Sequence, residues 1–481
     1  MNKTIVWLQK DFRFHDHPAL MAAAERGIVI PVFIWSKEDE DEMGEKKASL
    51  WWLYHSIESF QSELREEGIQ LVIRQGDSLT ELMDIIRQTA ADAIFFNERY
   101  EPAFSKRIKM IAKQLQEDGI QVRSFHGNLL FNPFPFLNHK QEPYKIFTAF
   151  YNRCKKEMVP RPVRVPKKLL ANNEIILSLE IEDLPFLFSF QSDEKFAVYW
   201  KPGEKSAIAH WQDFSENELL IYKSGRDYPS KEISSKISAH LAWGDISVKA
   251  VWHSANRLMQ QLEEEGNEQY HEHIETFLRQ LIWREFGYYQ LFHYPSIIHT
   301  PLRKEFQAFP WNDDDAEFQK WKKGLTGYPL VDAGMRELLE TGYMHNRVRM
   351  VTASFLIKHL LIPWTKGAEW FAQNLVDYDV ANNAMGWQWT AGSGFDAAPY
   401  FRVFNPASQS HKFDENGEYI KKWIPELDNL PAPYIHKPWE APVELLESAN
   451  IFLGETYPYP IIDHKFARER ALQAYDSIRK P

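Results

Sequence analysis

The fold of the N-terminal region is indicated by residues 4–35, TIVWLQKDFRFHDHPALMAAAERGIVIPVFIW. This stretch begins and ends with β-rich apolar runs, Thr4–Leu8 and Ile28–Trp35, which predict two buried strands. Further along, strands are predicted at Ile69–Arg74, Ala93–Asn97 and Gln121–Phe125, and helices at Ala48–Glu67, Leu79–Thr89 and Phe104–Glu117. Alternating strands and amphipathic helices are typical of a doubly wound α/β domain with a parallel sheet.

The remainder of the chain separates into a connector and a helical region. Prolines at positions 133, 135, 143, 160, 162, 166 and 185 interrupt any long element after Phe131. Long periodic stretches at Tyr270–Leu291 and Tyr343–Leu361 then predict helices. The expected organisation is α/β plus all-α, with an α/β domain over residues 1–130, an interdomain connector over 131–200 and a helical domain over 201–481.

Composition limits the possible classes of function. The chain has 481 residues, enough for roughly two to four domains, and its net charge of −11 argues against a protein that coats nucleic acid through its whole surface. The single cysteine, Cys154, excludes an intramolecular disulfide framework and sites built from four thiolates. Neither a signal-peptide pattern nor an apolar run of about 20 residues occurs, so we expect a cytoplasmic protein with no membrane span.

Two of the predicted helices carry polar faces of unusual composition. A solvated helix face normally shows Lys and Glu, whereas these faces combine amide, guanidinium and indole or thioether groups that can line a cavity for a flat ligand. They hold Gln280, Trp283, Arg284 and Gly287 on the first helix, and Asn346, Arg349 and Met350 on the second. A second packing face or a partly exposed helix gives the same spacing, so spacing alone leaves both explanations open.

Two further segments concentrate hydrogen-bonding groups. Ser234–Ser238 precedes a helical pattern, where hydroxyls and backbone N–H groups suit an anion such as a pyrophosphate, although N-capping without a ligand gives the same pattern. Asp377–Asn383 crowds carboxylates and amides, but no nearby His or Cys supports a metal site, and we expect none. The sequence also lacks a Gly-rich phosphate loop and a nucleophile elbow.

Long composite motifs connect these segments to a known family. The most specific are LIWREF (residues 281–286), MHNRVRM (344–350) and NNAMGWQW (382–389), and they accompany an opening strand and turn that run from Val6 to Leu20. Together they resemble the photolyase/cryptochrome family, and most closely the bacterial class I photolyases that repair cyclobutane pyrimidine dimers. The resemblance spans nearly the whole chain.

The resemblance implies a helical domain that holds FAD in a folded-up conformation. The implied FAD contacts are Tyr222, Ser234, Ser235, Lys236, Ile237, Ser238, Trp283, Arg349, Asp377, Tyr378 and Asp379. Asn383 would face the reactive isoalloxazine nitrogen, where an amide can hydrogen-bond to the reduced flavin without adding a competing charge. Trp311, Trp364 and Trp387 correspond to the family's electron-transfer chain, which reduces oxidised flavin from the surface inward.

The resemblance also implies that the partner is UV-damaged DNA with the dimer flipped out of the duplex. The implied lesion and DNA contacts are Gln280, Trp283, Arg284, Asn346, Met350 and Trp389, with Arg226 and Arg402 near phosphates. Gln280 departs from the pattern, because photolyases for cyclobutane dimers usually place a Glu there that hydrogen-bonds to the lesion. Gln keeps a donor but loses the carboxyl group, so we expect slower repair than with Glu.

Several alternatives stay open at this point. Repair of the six-four photoproduct fits Gln280, but such enzymes use a histidine pair where this chain has Asn346 and Met350. A cryptochrome-type blue-light photosensor uses the same flavin, and many sensors add a disordered tail, whereas residues 466–479 here predict a helix. A dinucleotide-dependent oxidoreductase needs a Gly-rich fingerprint, which Gln9–His15 lacks.

The resemblance leaves the antenna and the assembly state less defined. Phe104 stands where folate-binding members have a Glu, so the second chromophore, of folate or deazaflavin type, stays open. We expect a monomer with no obligate protein partner.

Overall fold

The computed structural model describes residues 2–37, 47–185, 194–312 and 314–479. The chain divides into two compact units, each built from three separate segments. Unit one comprises Met1–Leu220, Ser235–Pro295 and Val376–Val380, and unit two comprises Ile221–Ser234, Ser296–Leu375 and Ala381–Pro481. The domain boundaries at residues 130 and 200 stay predictions.

Unit one contains a five-stranded parallel sheet with the strand order β3-β2-β1-β4-β5. Its strands are β1 (Asn2–Leu8), β2 (Gly27–Trp35), β3 (Val72–Gln75), β4 (Ala93–Asn97) and β5 (Gln121–Phe125). Ile5 in the central strand pairs with Ile30 on one side and Ile94 on the other, and all three are buried. The order reverses at β1, which confirms the doubly wound parallel sheet predicted from the sequence.

The helices of unit one cover this sheet and continue beyond it. With numbering along the chain, they are α1 (Pro18–Arg26), α2 (Lys47–Glu66), α3 (Ser78–Thr89), α4 (Pro102–Glu117), α5 (Phe147–Cys154), α6 (Glu204–Glu216), α8 (Ser238–Trp243), α9 (Val248–Glu264) and α10 (His271–His293). Leu82 and Ile85 of α3 and Ile111 and Leu115 of α4 are buried in the core that they form with the strands.

Two elements of the sheet region differ from the expectation. The strand predicted from Ile69 begins only at Val72, because the backbone N–H of Ile69 donates to the Leu64 carbonyl at 2.8 Å and so closes the end of α2. Helix α1 has no counterpart in the prediction. It begins with Pro18 in its first turn, and the His17 ring accepts a hydrogen bond from the backbone N–H of Leu20.

The segment expected to be a connector is anchored by a short helix. Phe147 and Phe150 of α5 are buried, and the Phe150 ring lies 5.2 Å from Phe286 of α10. Phe147 lies parallel to Trp283, with their ring centroids 3.5 Å apart. The proline-rich stretch therefore supports the face of α10 that carries Trp283.

Unit two is helical in the part of the chain that the structure describes. Its helices are α7 (Tyr222–Gly225), α11 (Asp315–Lys322), α12 (Pro329–Thr341), α13 (Asn346–Ser354), α14 (Trp364–Asn374), α15 (Val380–Ala391, whose first residue closes unit one), α16 (Pro406–Phe413), α17 (Glu418–Trp423), α18 (Ala432–Ile435), α19 (Val443–Ser448) and α20 (His464–Arg479). This helical unit confirms the all-α part of the predicted fold class.

The helix predicted over Tyr343–Leu361 is shorter than expected. His345 has an extended ψ of 136° and its ring accepts from the backbone N–H of Arg347, so α13 begins only at Asn346. A π-helical turn, Phe355–His359, follows α13, and Leu361 ends the stretch with a positive φ of 56°. Helical periodicity continues through both interruptions, which is why the sequence pattern does not reveal them. Among the residues described, no helix combines the length and apolarity required to cross a bilayer.

Candidate functional site

The turn Ser235–Ser238 of unit one brings predicted flavin contacts together. The Ser238 hydroxyl donates to Asp377 Oδ2 at 2.7 Å, although 139 positions separate the two residues. Lys236 has a φ of 49°, in the left-handed region, and Ile237 is buried. His210 Nε2 lies 2.7 Å from the Ser235 carbonyl oxygen and therefore donates to it. The turn is thus held at both ends, and its backbone N–H groups are suited to an anionic ligand, whereas the Ser238 proton is already used by Asp377.

The predicted polar face of α10 is only partly confirmed. Gln280 and Trp283 are half-buried, as a cavity lining requires, and Gln280 Nε2 donates to the Thr276 carbonyl at 3.2 Å. Gly287, assigned to the same face, is buried. From Glu285 to Leu291 the helix is buried on all sides. The sequence pattern predicted only one buried face, so it missed this part of the helix.

A buried ionic cluster follows Trp283 on α10. Arg284 Nη1 donates to Glu285 Oε1 at 3.1 Å and to the Asn128 carbonyl at 3.2 Å, and Glu285 accepts from the backbone N–H of Leu130 at 2.8 Å. Burial raises the pKa of Glu285 to about 7, even though the Arg284 guanidinium and two backbone N–H groups lower it. Since its guanidinium is already engaged, a DNA contact by Arg284 stays a prediction only.

Tyr288 connects this cluster to the acidic segment. Its hydroxyl donates to Asp379 Oδ2, and burial raises the pKa of Tyr288 well above its usual value, so the phenol stays protonated. Tyr378, which lies between Asp377 and Asp379 in the sequence, is buried. Sequence reasoning missed Tyr288 as a group that orients Asp379, although it lies four residues after Arg284 and so shares its side of the helix.

In unit two, Arg349 is held by the residues just before α13. Its Nε donates to the Met344 carbonyl at 2.6 Å, and its guanidinium carbon lies 5.0 Å from the Tyr343 ring centroid. The Tyr343 hydroxyl lies 3.1 Å from Ser234 Oγ. Tyr343 therefore positions two predicted flavin contacts at once. The sequence analysis did not predict a role for Tyr343. Its position directly before the MHNRVRM motif could have indicated one.

The remaining predicted lesion contacts of unit two differ in their exposure. Asn346 is exposed and Met350 is half-buried, whereas Val348 and Val351 of the same helix are buried. Trp389 is half-buried on α15. The structure thus confirms the two-faced character of α13.

Three further predicted residues of unit two lie on short elements. Arg226 follows α7, and its guanidinium carbon lies 5.3 Å from the ring centroid of the buried Tyr222. Arg402 is exposed in the segment between α15 and α16. Of the two residues predicted to contact phosphates, Arg402 is therefore exposed and Arg226 is half-buried, and both contacts stay predictions.

The Asn383 side chain has a fixed orientation. Its Nδ2 donates to the Ala368 carbonyl of α14 at 3.0 Å. This bond uses one donor of the amide, so that Oδ1 is the atom suited to accept a hydrogen bond from a protonated ring nitrogen. The arrangement fits the predicted role of Asn383 beside a reduced flavin.

The three predicted electron-transfer tryptophans differ in exposure. Trp364 and Trp387 are buried and Trp311 is half-buried, which matches a route that begins near the surface. The Trp387 ring centroid lies 5.0 Å from Phe371 and 6.4 Å from Trp321. Trp321 is fully buried and was not among the predicted residues.

Unit one also has a cavity of about 370 Å³. It is lined by Trp51, His55, Glu58, Ser59, Ser62, Glu63, Ala197, Trp200, Pro202 and Lys205. Burial raises the pKa of Glu63, with a further contribution from the nearby Glu204 carboxylate. Aromatic walls with carboxyl groups suit a flat heterocycle that carries amino groups.

Family models and known relatives match the chain along most of its length. A model described as "DNA photolyase" matches residues 4–167, and one described as "FAD binding domain of DNA photolyase" matches residues 277–477. The chain is 44% identical, over 99% of its length and 98% of the relative's, to the deoxyribodipyrimidine photo-lyase of Agrobacterium fabrum. It is 37% identical, over 99% of its length and 70% of the relative's, to Cryptochrome-1 of Arabidopsis thaliana.

Solved structures give the same result. A bacterial class III photolyase from Agrobacterium tumefaciens superposes with a TM-score of 0.94 at 42% identity, covering 100% of this chain and 98% of that one. A Synechocystis cryptochrome superposes with a TM-score of 0.89 at 30% identity, covering 98% of this chain and 99% of that one. The Agrobacterium tumefaciens photolyase is of class III, whereas the sequence motifs resemble class I, so the comparisons establish the family as a whole. The chain carries an FAD-binding photolyase domain and belongs to the photolyase/cryptochrome family.

Proposed function

We propose that this protein is a deoxyribodipyrimidine photolyase that uses light and reduced FAD to split cyclobutane pyrimidine dimers in DNA. The observation that carries the proposal is the full-length match to a relative of that name at 44% identity. The chemistry that FAD supplies when bound is light-driven donation of one electron to the cyclobutane ring and its return after the ring opens, without net redox change.

The residues of each unit fit a flavin dinucleotide. In unit one, the backbone N–H groups of Ser235–Ser238 suit its phosphates, and the Ser238 hydroxyl donates to Asp377 and orients that carboxylate. In unit two, Arg349 supplies a guanidinium held by Met344, and Asn383 directs its carbonyl oxygen as an acceptor for a ring N–H. We assign the remaining contacts, Tyr222, Ser234, Lys236, Ile237, Trp283, Tyr378 and Asp379, by the same resemblance.

Each unit offers side chains suited to lesion recognition. Trp283, supported from behind by Phe147, offers an aromatic face, and stacking of this kind contributes about 1–3 kcal/mol per base. That stabilisation offsets the few kcal/mol needed to flip a damaged pair out of the duplex. The exposed Asn346 and the half-buried Met350 replace the histidine pair of six-four enzymes, which favours the cyclobutane dimer as the substrate.

Illumination of the reduced protein with a dimer-containing thymine oligonucleotide tests the proposal. We expect absorbance in the thymine band to recover under near-ultraviolet light and to stay constant in the dark. If the protein binds FAD, becomes fully reduced and still shows no recovery of thymine absorbance, the result favours a cryptochrome-type photosensor. The 37% identity to Cryptochrome-1 supports that alternative.

The cavity of unit one is our candidate for the second chromophore, of folate or deazaflavin type. Trp51 and Trp200 provide aromatic walls, and Glu58 and Glu63 provide carboxyl groups for ring amino groups. We further propose a cytoplasmic monomer that needs no protein partner. Size-exclusion chromatography of the purified protein tests the oligomeric state.

A further inference from the structure

Lys358 is a buried lysine in the π-helical turn of unit two. Its side chain is 2% exposed, and its Nζ donates to the Arg402 carbonyl oxygen at 3.0 Å across 44 positions of sequence. The same Nζ lies 5.2 Å from the centroid of the Tyr400 ring. Lys358 therefore joins the core of unit two to the segment that carries Arg402.

That segment has one side chain inside the unit and two outside it. Tyr400 is buried, and its ring lies 5.0 Å from Tyr475, 5.2 Å from Phe309 and 5.9 Å from Phe306. The next two residues point away from this core, because Phe401 is 60% exposed and Arg402 is exposed as well. The hydrogen bond from Lys358 thus fixes the backbone at the point where the chain leaves the core and presents Arg402.

Stability alone gives no reason for an amine at this position. Burying an ammonium group is unfavourable unless it is well paired, and an apolar side chain of similar length, such as Met, fills the same space without that penalty. Burial lowers the pKa of Lys358 to about 7, and the positive charge of Arg402 lowers it further by repulsion. The donor function toward the Arg402 carbonyl is what Lys358 contributes and Met cannot.

We propose that Lys358 is a positioning residue for DNA binding, one that holds the Arg402 segment so that the guanidinium meets a backbone phosphate. The inference rests on the proposed function, which assigns Arg402 to phosphate contact. Lys358 itself is buried and does not touch the DNA. Its effect on binding passes through the carbonyl of Arg402.

The test compares four variants of the FAD-loaded protein by fluorescence anisotropy with dimer-containing duplex DNA over a range of KCl concentrations. Each lost phosphate contact reduces the slope of log affinity against log salt by about one. We expect this reduction for Lys358→Met and for Arg402→Ala, and no further reduction when both changes are combined. Lys358→Arg, which keeps a charged donor, should retain most of the wild-type slope.

Lys249 supplies a matched control in unit one. It is also a buried lysine, and its Nζ donates to a backbone carbonyl, that of His126, at 2.9 Å. Lys249→Met removes the same kind of hydrogen bond, from a buried amine to a backbone carbonyl, and should leave the salt slope unchanged. If Lys358→Met is poorly soluble, Lys358→Leu provides the same comparison, because Leu also lacks a donor for the Arg402 carbonyl.

Two outcomes overturn the inference. In the first, Arg402→Ala has a reduced salt slope but Lys358→Met keeps the wild-type slope, which would show that Arg402 contacts the phosphate without the hydrogen bond from Lys358. The second is an unchanged slope in Arg402→Ala itself. Neither outcome affects dimer splitting by the wild-type protein, so failure of this inference is distinguishable from failure of the proposed function.

Discussion

Gly367 provides a direct test of the role of Trp387. A Cβ atom added at Gly367 would lie 2.2 Å from Trp387 Cη2, 2.5 Å from Cζ3 of the same ring and 2.6 Å from Leu356 Cδ2. Carbon atoms in contact are about 3.5–4.0 Å apart, so Gly367→Ala requires the indole to move by roughly 1.3 Å or more. Such overpacking costs about 1–3 kcal/mol, and the higher helix propensity of Ala returns about 1 kcal/mol. The net destabilisation is therefore small, about 0–2 kcal/mol, and the displaced indole is the main consequence.

We expect Gly367→Ala to bind FAD and to photoreduce oxidised flavin more slowly than the wild type, because the predicted electron-transfer ring has moved. Gly386→Ala is the matched control, since Gly386 is exposed on α15, directly before Trp387, and an added Cβ meets nothing within 4 Å. The measurement is the rise of reduced-flavin absorbance under blue light with an external thiol donor, and Trp387→Phe marks the lower limit. If Gly367→Ala reduces its flavin as fast as Gly386→Ala while Trp387→Phe is slow, the geometric reasoning is wrong.

Three further outcomes are expected. Gln280→Glu should raise the yield of dimer splitting per absorbed photon because the carboxyl group returns to the lesion site, and an unchanged yield contradicts that reason. Ser238→Ala removes the hydrogen bond to Asp377 and should weaken FAD binding by about 1 kcal/mol, roughly fivefold in Kd by flavin fluorescence, whereas wild-type affinity excludes the hydroxyl from the cofactor site. Lys358→Met should raise the thermal midpoint most below about pH 7. The pKa of Lys358 is about 7 in the folded protein and 10.5 ordinarily, so the buried charge destabilises the fold fully below pH 7 and progressively less as the pH rises to 10.5. An equal gain in thermal midpoint at about pH 6 and pH 10 contradicts this sign.

The strands and the two faces of α13 could be predicted from sequence because they depend on local pattern. The edge strand Gln121–Phe125 was predicted to the residue, although it is largely exposed and is not a continuous apolar run. Ala93–Asn97 was also predicted to the residue, because a parallel strand buried on both faces appears as such a run. The same holds for the buried Val348 and the exposed Asn346, which follow from 3.6-residue periodicity. The local pattern was sufficient wherever a single periodicity of apolar residues extended over the whole helix or strand.

The contacts between distant residues could not be predicted in this way. The spacing of α10 gives no sign that Arg284 is engaged by Glu285 and by a carbonyl 156 positions earlier. The bonds from Ser238 to Asp377 and from Lys358 to Arg402 also join residues far apart in sequence, and the π-helical turn follows α13 without a break in the apolar period of the sequence. Family motifs indicated which residues matter, whereas the groups that hold them became visible only in the fold.

The segmented composition of unit one has a consequence for biosynthesis. Residues 376–380 belong to this unit although 80 residues of unit two, Ser296–Leu375, precede them. A nascent chain that has emerged only as far as Leu375 lacks the carboxylates that accept from Ser238 and Tyr288. Closing so long a loop delays the contacts it brings together, so the Ser235–Ser238 turn can acquire its hydrogen bond to Asp377 only after most of the polypeptide has left the ribosome.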